Sequence, residues 1–110
     1  MAKYVYISGP VTGLDYDQAK EVFDRAAEQI RRKHDGNVVV VNPMDICGKG
    51  EDWGYCMRKC IVALCECSFI HMLPGFEESK GARLELTIAK ALGFGIVDAN
   101  YDLQEYEEKD

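Results

Sequence analysis

A glutamate inside an apolar helical face is the residue of this 110-residue chain whose placement most suggests chemistry. Residues 79–92 have the periodicity of a helix, with apolar side chains recurring on one face. That face is formed by Ala82, Leu84, Leu86, Ile88, Ala89 and Leu92. Glu85 falls within it, where an unpaired carboxylate is costly. The carboxylate is therefore either satisfied by hydrogen bonds in the core or exposed to a ligand pocket, and the helix alone favours neither.

Two turn-rich segments could bring backbone amides to such a pocket. Residues 73–81 (LPGFEESKG) precede the helix, and Ser79 and Gly81 lie at its start, where unpaired amides form a natural anion site. Residues 9–13 (GPVTG) follow a predicted strand, and their two glycines permit a tight turn and close approach of a ligand. The second segment is neither a Walker motif nor a dinucleotide-binding fingerprint. As a plain tight turn it would need no ligand.

The periodicity of the remaining chain predicts elements that bring these turns to one edge of a sheet. Strands are predicted at residues 3–8, 38–41, 68–73 and 96–97, and helices at 15–33, 53–66 and 79–92. Their alternation predicts an α/β fold: three layers, doubly wound, with a mostly parallel sheet of four to five strands, Rossmann-like or flavodoxin-like. Ligands in such folds bind at the carboxyl ends of the strands, which here lead into residues 9–13, 42–52 and 74–81.

Length and charge restrict the classes of function. The length indicates a single domain, residues 1–110, whose acidic tail from residue 101 is expected to be solvated, although it could reach a neighbouring subunit. The formal net charge is -6 and the longest basic run is residues 31–33, which argues against nucleic-acid binding. No run approaches the roughly 18 to 20 apolar residues of a membrane span. Because the N-terminus enters a strand at once, without signal-peptide anatomy, we expect a cytoplasmic protein without membrane contact.

The five cysteines are expected to be reduced and free of metal. Their odd number, the lack of a CxxC pair and the lack of a secretory signal argue against a disulfide framework. A zinc site, whose spacing would match no common ligand pattern, would have to come from Cys56, Cys60, Cys65 or Cys67 with His71. Buried thiols in a reducing compartment explain the pattern better. Of the two histidines, we expect His71 to be a core residue and His34 to be exposed without a role.

Five segments, spread over nearly the whole chain to about residue 98, carry a family resemblance. They are YISGPVTG (6–13), VNP (41–43), Trp53 with Met57 and Arg58, LPG (73–75) and SKGARLE (79–85). Together they resemble a family of small bacterial and phage proteins related to nucleoside 2-deoxyribosyltransferases and deoxynucleoside 5′-monophosphate N-glycosidases. The resemblance implies cleavage of the bond between deoxyribose C1′ and the base of a (deoxy)nucleoside 5′-monophosphate. It implies no cofactor and no metal, and it implies a homo-oligomer, a dimer or larger.

The resemblance also implies roles for individual residues. Glu85 matches the nucleophile that attacks C1′, and Tyr6 matches a phenol that orients it. Ser79 matches a phosphate-binding serine of the monophosphate glycosidases, where the transferases carry an aspartate. The expected contacts to sugar and phosphate are Ser8, Gly9, Pro10, Gly13, Asn42, Ser79 and Gly81.

The acid that protonates the departing base is where this chain departs from the resemblance. Relatives carry an aspartate at the position of Cys60, and a thiol, with an ordinary pKa of about 8.5, is a weaker proton donor. Asp45, Asp52 or Glu66 could substitute for it. Three functions therefore stay open: an N-glycosidase or deoxyribosyltransferase-like enzyme, a nucleotide-binding or sensing module without turnover, and a structural domain whose Glu85 is a satisfied core residue.

Overall fold

Strands and helices alternate along residues 2–107, the part of the chain that the computed structural model describes. The strands are β1 (Lys3–Ser8), β2 (Val38–Val41), β3 (Phe69–Met72), β4 (Gly95–Val97) and β5 (Leu103–Gln104). The helices are α1 (Tyr16–Lys33), α2 (Trp53–Cys65) and α3 (Lys80–Ala91). Two short 3-10 helices, Pro43–Asp45 and Phe76–Glu78, lie in the loops before α2 and α3. The predicted α/β class is confirmed, and each predicted element agrees to within one residue at either end.

The five strands form one sheet in the order β2-β1-β3-β4-β5. The first three neighbouring pairs are parallel, and β5 pairs with β4 in the antiparallel direction. This order, with a crossover between β2 and β3, is the flavodoxin-like arrangement. The carboxyl ends of β1, β2 and β3 consequently meet at one edge, from which the loops to α1, α2 and α3 leave.

Alternate residues of β1 divide between two cores, because successive side chains of a strand point to opposite faces of the sheet. Val5 and Ile7 pack in the core beneath α1. Tyr6 packs in the core on the other face, which α2 and α3 cover. The three layers expected from the sequence are therefore α1, the sheet, and the pair α2 and α3.

The buried helical faces are narrower than periodicity predicts. In α3 the buried residues are Ala82, Glu85 and Ala89, whereas Leu84 and Leu92 are 40% and 58% exposed. Small alanine side chains let α3 approach the sheet closely along a thin stripe, so residues at the margins of the predicted apolar face stay in solvent.

Residues 101–104, beyond β4, pack against the rest of the domain, which corrects the expectation of a solvated end for this part of the tail. Residue Gln104 of β5 pairs with Ile96, and Tyr101 packs against the core beneath α1. The His34 ring, predicted to be exposed, donates from Nε2 to the Tyr101 carbonyl at 2.7 Å. His71 is a buried core histidine, as predicted, and donates from Nδ1 to the Val97 carbonyl at 2.8 Å. Residues 108–110 of the predicted tail lie outside the described residues.

Two of the five cysteines are joined, so the expectation that all are reduced is wrong. Cys47 and Cys56 form a disulfide with Cα atoms 5.8 Å apart, while Cys60, Cys65 and Cys67 are free. The loop after β2 returns to the first turn of α2, and this approach brings the pair within disulfide range. Spacing along the chain gives no sign of it.

Two further expectations from the sequence concern a metal site and a membrane span. Within residues 2–107, the His, Cys, Asp and Glu side chains close enough to share a metal ion are Cys47, Glu51 and Cys56, and the two sulfurs of this group are joined in the disulfide. Of the residues considered for a zinc site, only Cys56 belongs to this group. In the same part of the chain no helix has the length and apolar character needed to cross a membrane.

Candidate functional site

The carboxylate of Glu85 is buried and held by two hydroxyl groups of β1. Glu85 is 5% exposed on the inward face of α3, as predicted. The Tyr6 hydroxyl donates to Oε2 at 2.6 Å, and Ser8 Oγ donates to Oε1 at 2.6 Å. Tyr6 and Ser8 are two positions apart in β1, so both project to the face that α3 covers. The strand thereby places one donor at each carboxylate oxygen.

Burial raises the pKa of both Glu85 and Tyr6, whereas the hydrogen bond between them has opposite effects on the two pKa values. Burial raises the pKa of Glu85, and the hydrogen bonds from Ser8 and Tyr6 lower it in part. Burial also raises the pKa of Tyr6, and the neighbouring Glu85 charge raises it further. Tyr6 therefore keeps its proton at neutral pH and remains a donor. A weakly solvated carboxylate fixed by two donors is poised to act as a nucleophile or a base.

A third group, the Cys60 thiol, lies beside this pair. Cys60 is on α2, is 6% exposed and belongs to the same core cluster as Tyr6. Burial raises the pKa of the thiol, while a hydrogen bond with Tyr6 lowers it and the Glu85 charge raises it. The thiol therefore stays protonated near neutral pH, which suits a proton donor better than a nucleophile.

A cavity of about 290 Å³ opens in front of Glu85 at the carboxyl edge of the sheet. Its size is at the lower end of the range for small-molecule sites. The loops after β1 and β2, the start of α2 and the start of α3 form its walls. The polar and small lining residues include Gly9, Thr12, Tyr16, Gly48, Gly50, Glu51, Cys60, Ser79, Gly81 and Glu85, and the apolar ones include Val11, Phe23, Met44, Trp53 and Met57.

Seven of the predicted site residues come together at this cavity. Gly9, Cys60, Ser79, Gly81 and Glu85 line it. Tyr6 and Ser8 lie behind Glu85 and reach the cavity through its carboxylate.

Three predicted substrate-binding residues have other places in the structure. Asn42 accepts from the Met44 amide at 3.0 Å and donates to Asp24 at 2.8 Å, so it caps the 3-10 helix and ties it to α1. Gly13 has a φ of 83°, and a Cβ there would meet no atom within 4 Å, so the turn itself requires glycine. Pro10 lines a separate shallow hollow with Leu73 and Pro74.

Gly9 and Gly81 are glycines because neighbouring side chains approach them closely. A Cβ on Gly9 would lie 2.7 Å from the Leu73 Cβ, so the turn after β1 packs directly on the end of β3. A Cβ on Gly81 would lie 3.0 Å from Met57 Sδ. The close contact at Gly81 joins the first turn of α3 to α2 across the cavity wall. The glycine-rich turns therefore serve packing as well as access.

Ser79 has a structural role that leaves it available to a ligand. Its side-chain oxygen accepts from the Ala82 amide at 3.2 Å, which caps α3. The hydroxyl proton is not used by that bond and can be donated to an anion. The Lys80 ammonium lies 4.8 Å from the Trp53 ring centroid, next to the same helix start. The Ser79 cap, the free amides at the start of α3 and the nearby Lys80 cation suit this part of the cavity wall to a phosphate.

The cavity also includes residues that sequence reasoning had not placed in a site. Trp53 and Met57 lie four residues apart on α2, and both line the cavity on the same side of the helix as Cys60. Glu51 is a second carboxylate on the wall and gave no signal in the sequence, because it lies in an irregular loop. Of the proposed substitute acids, Asp52 caps α2 by accepting from the Tyr55 amide at 2.9 Å. Asp45 and Glu66 are exposed and, like Asp52, do not line the cavity.

The raised pKa of Glu85 predicts how stability changes with pH. Below the ordinary pKa of 4.5 the carboxyl is protonated in both the folded and the unfolded chain. As pH rises from there to the folded pKa, the unfolded chain releases this proton first, so the folded state loses stability. We expect the wild type to lose stability relative to Glu85→Gln across this window, and to show a constant difference above it.

Urea unfolding of both proteins between about pH 4 and pH 8 measures this difference, since all other carboxylates are shared and cancel. A wild type that gains stability relative to Glu85→Gln as pH rises would show that hydrogen bonding outweighs burial at this carboxylate.

Comparison with known proteins places the chain in one family. No curated protein matches the chain in sequence. The family model described as a domain of unknown function, DUF4406, matches residues 3–98. The matched region runs from the start of β1 to the residue after β4, and so contains every element that lines the cavity. The chain therefore belongs to the DUF4406 family.

Proposed function

We propose that this protein is an N-glycosidase or deoxyribosyltransferase-like enzyme that cleaves the base–sugar bond of a (deoxy)nucleoside 5′-monophosphate. The observation that supports it best is the Glu85 carboxylate, buried at a cavity with one hydroxyl donor at 2.6 Å from each oxygen. A purely structural glutamate needs the donors but gains nothing from a cavity in front of it. The resemblance in segments 6–13 and 79–85 supplies the reaction class.

The reaction begins with attack of a Glu85 oxygen on C1′ of the sugar. A bond forms between that oxygen and C1′ while the C1′–N bond breaks, and the base leaves with the electron pair of the broken bond. Water, or a nitrogen of a second base, then attacks C1′ and releases Glu85, which gives hydrolysis or transfer. Each carboxylate oxygen accepts one hydrogen bond and keeps a lone pair for this attack. The hydroxyls of Tyr6 and Ser8 hold the carboxylate in place before the substrate arrives.

The departing base needs a proton, and two cavity-lining groups can provide it. Cys60 is buried beside Tyr6, and burial raises the pKa of its thiol so that the proton is retained. Glu51 is the second carboxyl group on the cavity wall. The variants Cys60→Ser and Glu51→Gln separate these roles. Loss of the proton donor slows release of a natural base. It leaves release of 4-nitrophenolate from a 4-nitrophenyl glycoside, which needs no proton, nearly unchanged.

The start of α3 favours a substrate with a 5′-phosphate over a free nucleoside. Ser79 keeps a hydroxyl proton to donate, and the first residues of α3, Gly81 and Ala82, line the cavity beside it. Lys80 adds a positive charge next to them. We expect the proposed enzyme to act in the cytoplasm, as in the sequence analysis. The family resemblance implies an oligomer of two or more chains, a state that light scattering would test.

The experiment that tests the proposed function is release of free base from a panel of deoxynucleoside and ribonucleoside 5′-monophosphates. Matched free nucleosides test the role of the phosphate, and the Glu85→Gln protein is the negative control. Release by the wild type alone supports the enzyme. We expect monophosphates to be cleaved faster than the corresponding nucleosides.

A second candidate is a nucleotide-binding or sensing module without turnover. The observation that favours it is Cys60, a thiol where the resemblance implies a carboxyl group, with a pKa raised further by burial. Saturable binding of a monophosphate in calorimetry, without base release, would support this module. Absence of both binding and release would leave Glu85 as a satisfied core carboxylate and contradict both proposals.

A further inference from the structure

The disulfide between Cys47 and Cys56 lies in the wall of the cavity that Glu85 faces. Cys47 follows the 3-10 helix after β2, and Cys56 is in the first turn of α2. Both are half-buried and both line the cavity. A covalent bond that borders a ligand cavity is placed to control the shape of that cavity.

The chain enclosed by this bond includes a segment of the wall with few other attachments, residues 48–52, which we call the wall segment. All five of its residues are exposed, yet Gly48, Gly50 and Glu51 line the cavity. Its hydrogen bonds, within the described residues, stay inside the segment or reach only the start of α2. The Tyr16 hydroxyl donates to the Cys47 carbonyl at 3.3 Å, just outside it.

Because few contacts hold the wall segment, its position depends on the disulfide. A disulfide acts mainly by reducing the freedom of the chain that it closes. Without it, the wall segment would retain only local hydrogen bonds and the ion pair between Glu51 and Lys59, at 3.8 Å. Local opening is favoured where buried apolar contacts are few and backbone is exposed, as here.

We propose that Cys47 and Cys56 are a reversible redox site, whose oxidation holds the wall segment against the cavity and whose reduction opens the cavity. Oxidation needs a small-molecule disulfide as co-reactant. One protein thiolate attacks a sulfur of that disulfide and releases the first small thiol, and the other cysteine then attacks the mixed disulfide and releases the second. The protein pair loses two electrons and two protons in total, and two small thiols are formed. A dithiol reverses the reaction.

The free thiols of the chain provide a test that needs no ligand of the cavity. Cys60 lies one helical turn after Cys56 on α2, is buried and lines the cavity. Cys67 is buried but does not line it, and Cys65 is exposed. Opening of the cavity should expose Cys60 and leave Cys67 protected.

The experiment compares alkylation by iodoacetamide of the full chain, oxidised with glutathione disulfide or reduced with a phosphine that is then removed. Fragment mass spectrometry assigns the modified cysteines, at one pH. We expect Cys60 to react roughly tenfold faster in the reduced protein, with Cys67 slow and Cys65 fast in both states. The double variant Cys47→Ser/Cys56→Ser should show the fast Cys60 rate after either treatment.

Three results would overturn the proposal. The first is failure of oxidised protein to form the bond between Cys47 and Cys56. The second is an equal Cys60 rate in both states. The third is parallel acceleration of Cys60 and Cys67, which would indicate unfolding of the domain. Because none of these readouts involves a nucleotide, they remain separate from success or failure of the proposed glycosidase.

Discussion

The Glu85→Gln protein is expected to lose base release by roughly a thousandfold or more while it still binds the nucleotide. The carboxamide has nearly the size of the carboxylate and can keep contacts with the two hydroxyls, which bond the carboxylate at 2.6 Å in the wild type. It lacks the charge that forms the bond to C1′. The loss should therefore appear in kcat, with little change in Kd measured by calorimetry.

A matched control is the variant Tyr6→Phe, which removes one donor but leaves the carboxylate. Its expected loss is smaller, because Ser8 still holds Oε1. Full base release by Glu85→Gln would contradict the assignment of Glu85 as the nucleophile. Loss of nucleotide binding together with turnover would instead show that the carboxylate serves binding.

The substitution Gly95→Ala is expected to destabilise the fold by about 3 kcal/mol, because the site is overpacked from two sides. A Cβ at Gly95 would lie 2.7 Å from the Gln104 carbonyl oxygen of β5 and would also clash with the Phe69 ring. Phe69 is 2% exposed and pairs with Gly95 across β3 and β4. The backbone oxygen cannot move aside without breaking the β4–β5 pairing.

Urea unfolding followed by circular dichroism measures this loss as a lower midpoint at constant m-value. The matched control is Gly48→Ala, where the added Cβ would meet only the Glu51 Oε1 atom, at 3.7 Å. That change should stay within about 0.5 kcal/mol of the wild type. A loss below about 1 kcal/mol at Gly95 would mean that β5 is not held firmly against β4.

The site could be predicted from the sequence where the periodicity of a strand or helix agrees with the burial of its residues. The alternation of β1 places Tyr6 and Ser8 on one face, and the period of α3 places Glu85 opposite them, so their meeting follows from two regular elements. In a parallel sheet, the carboxyl ends of β1, β2 and β3 must lie at the same edge. The period of α3 alone singled out Glu85, whereas Tyr6 and Ser8 were assigned to the site through the family resemblance.

The rest of the site depends on irregular chain, for which periodicity carries no information. Nothing in the spacing of Cys47 and Cys56 shows that the loop after β2 folds back to α2. Asn42 was assigned to the substrate through the resemblance in residues 41–43, but its amide is used to cap a short helix. Trp53 and Met57 line the cavity, but a helical pattern cannot distinguish a side chain that faces a cavity from one that faces the core.

The position of Trp53 has a practical consequence for spectroscopy. It is the single tryptophan of the chain, and its indole ring lies on the cavity wall, between the wall segment and the start of α3. Intrinsic emission excited at the red edge of indole absorption therefore comes from a single position on the cavity wall. A stacked base would quench it and displacement of Lys80 would shift it, so occupancy can be followed in real time, on unlabelled protein, even in a variant that performs no chemistry.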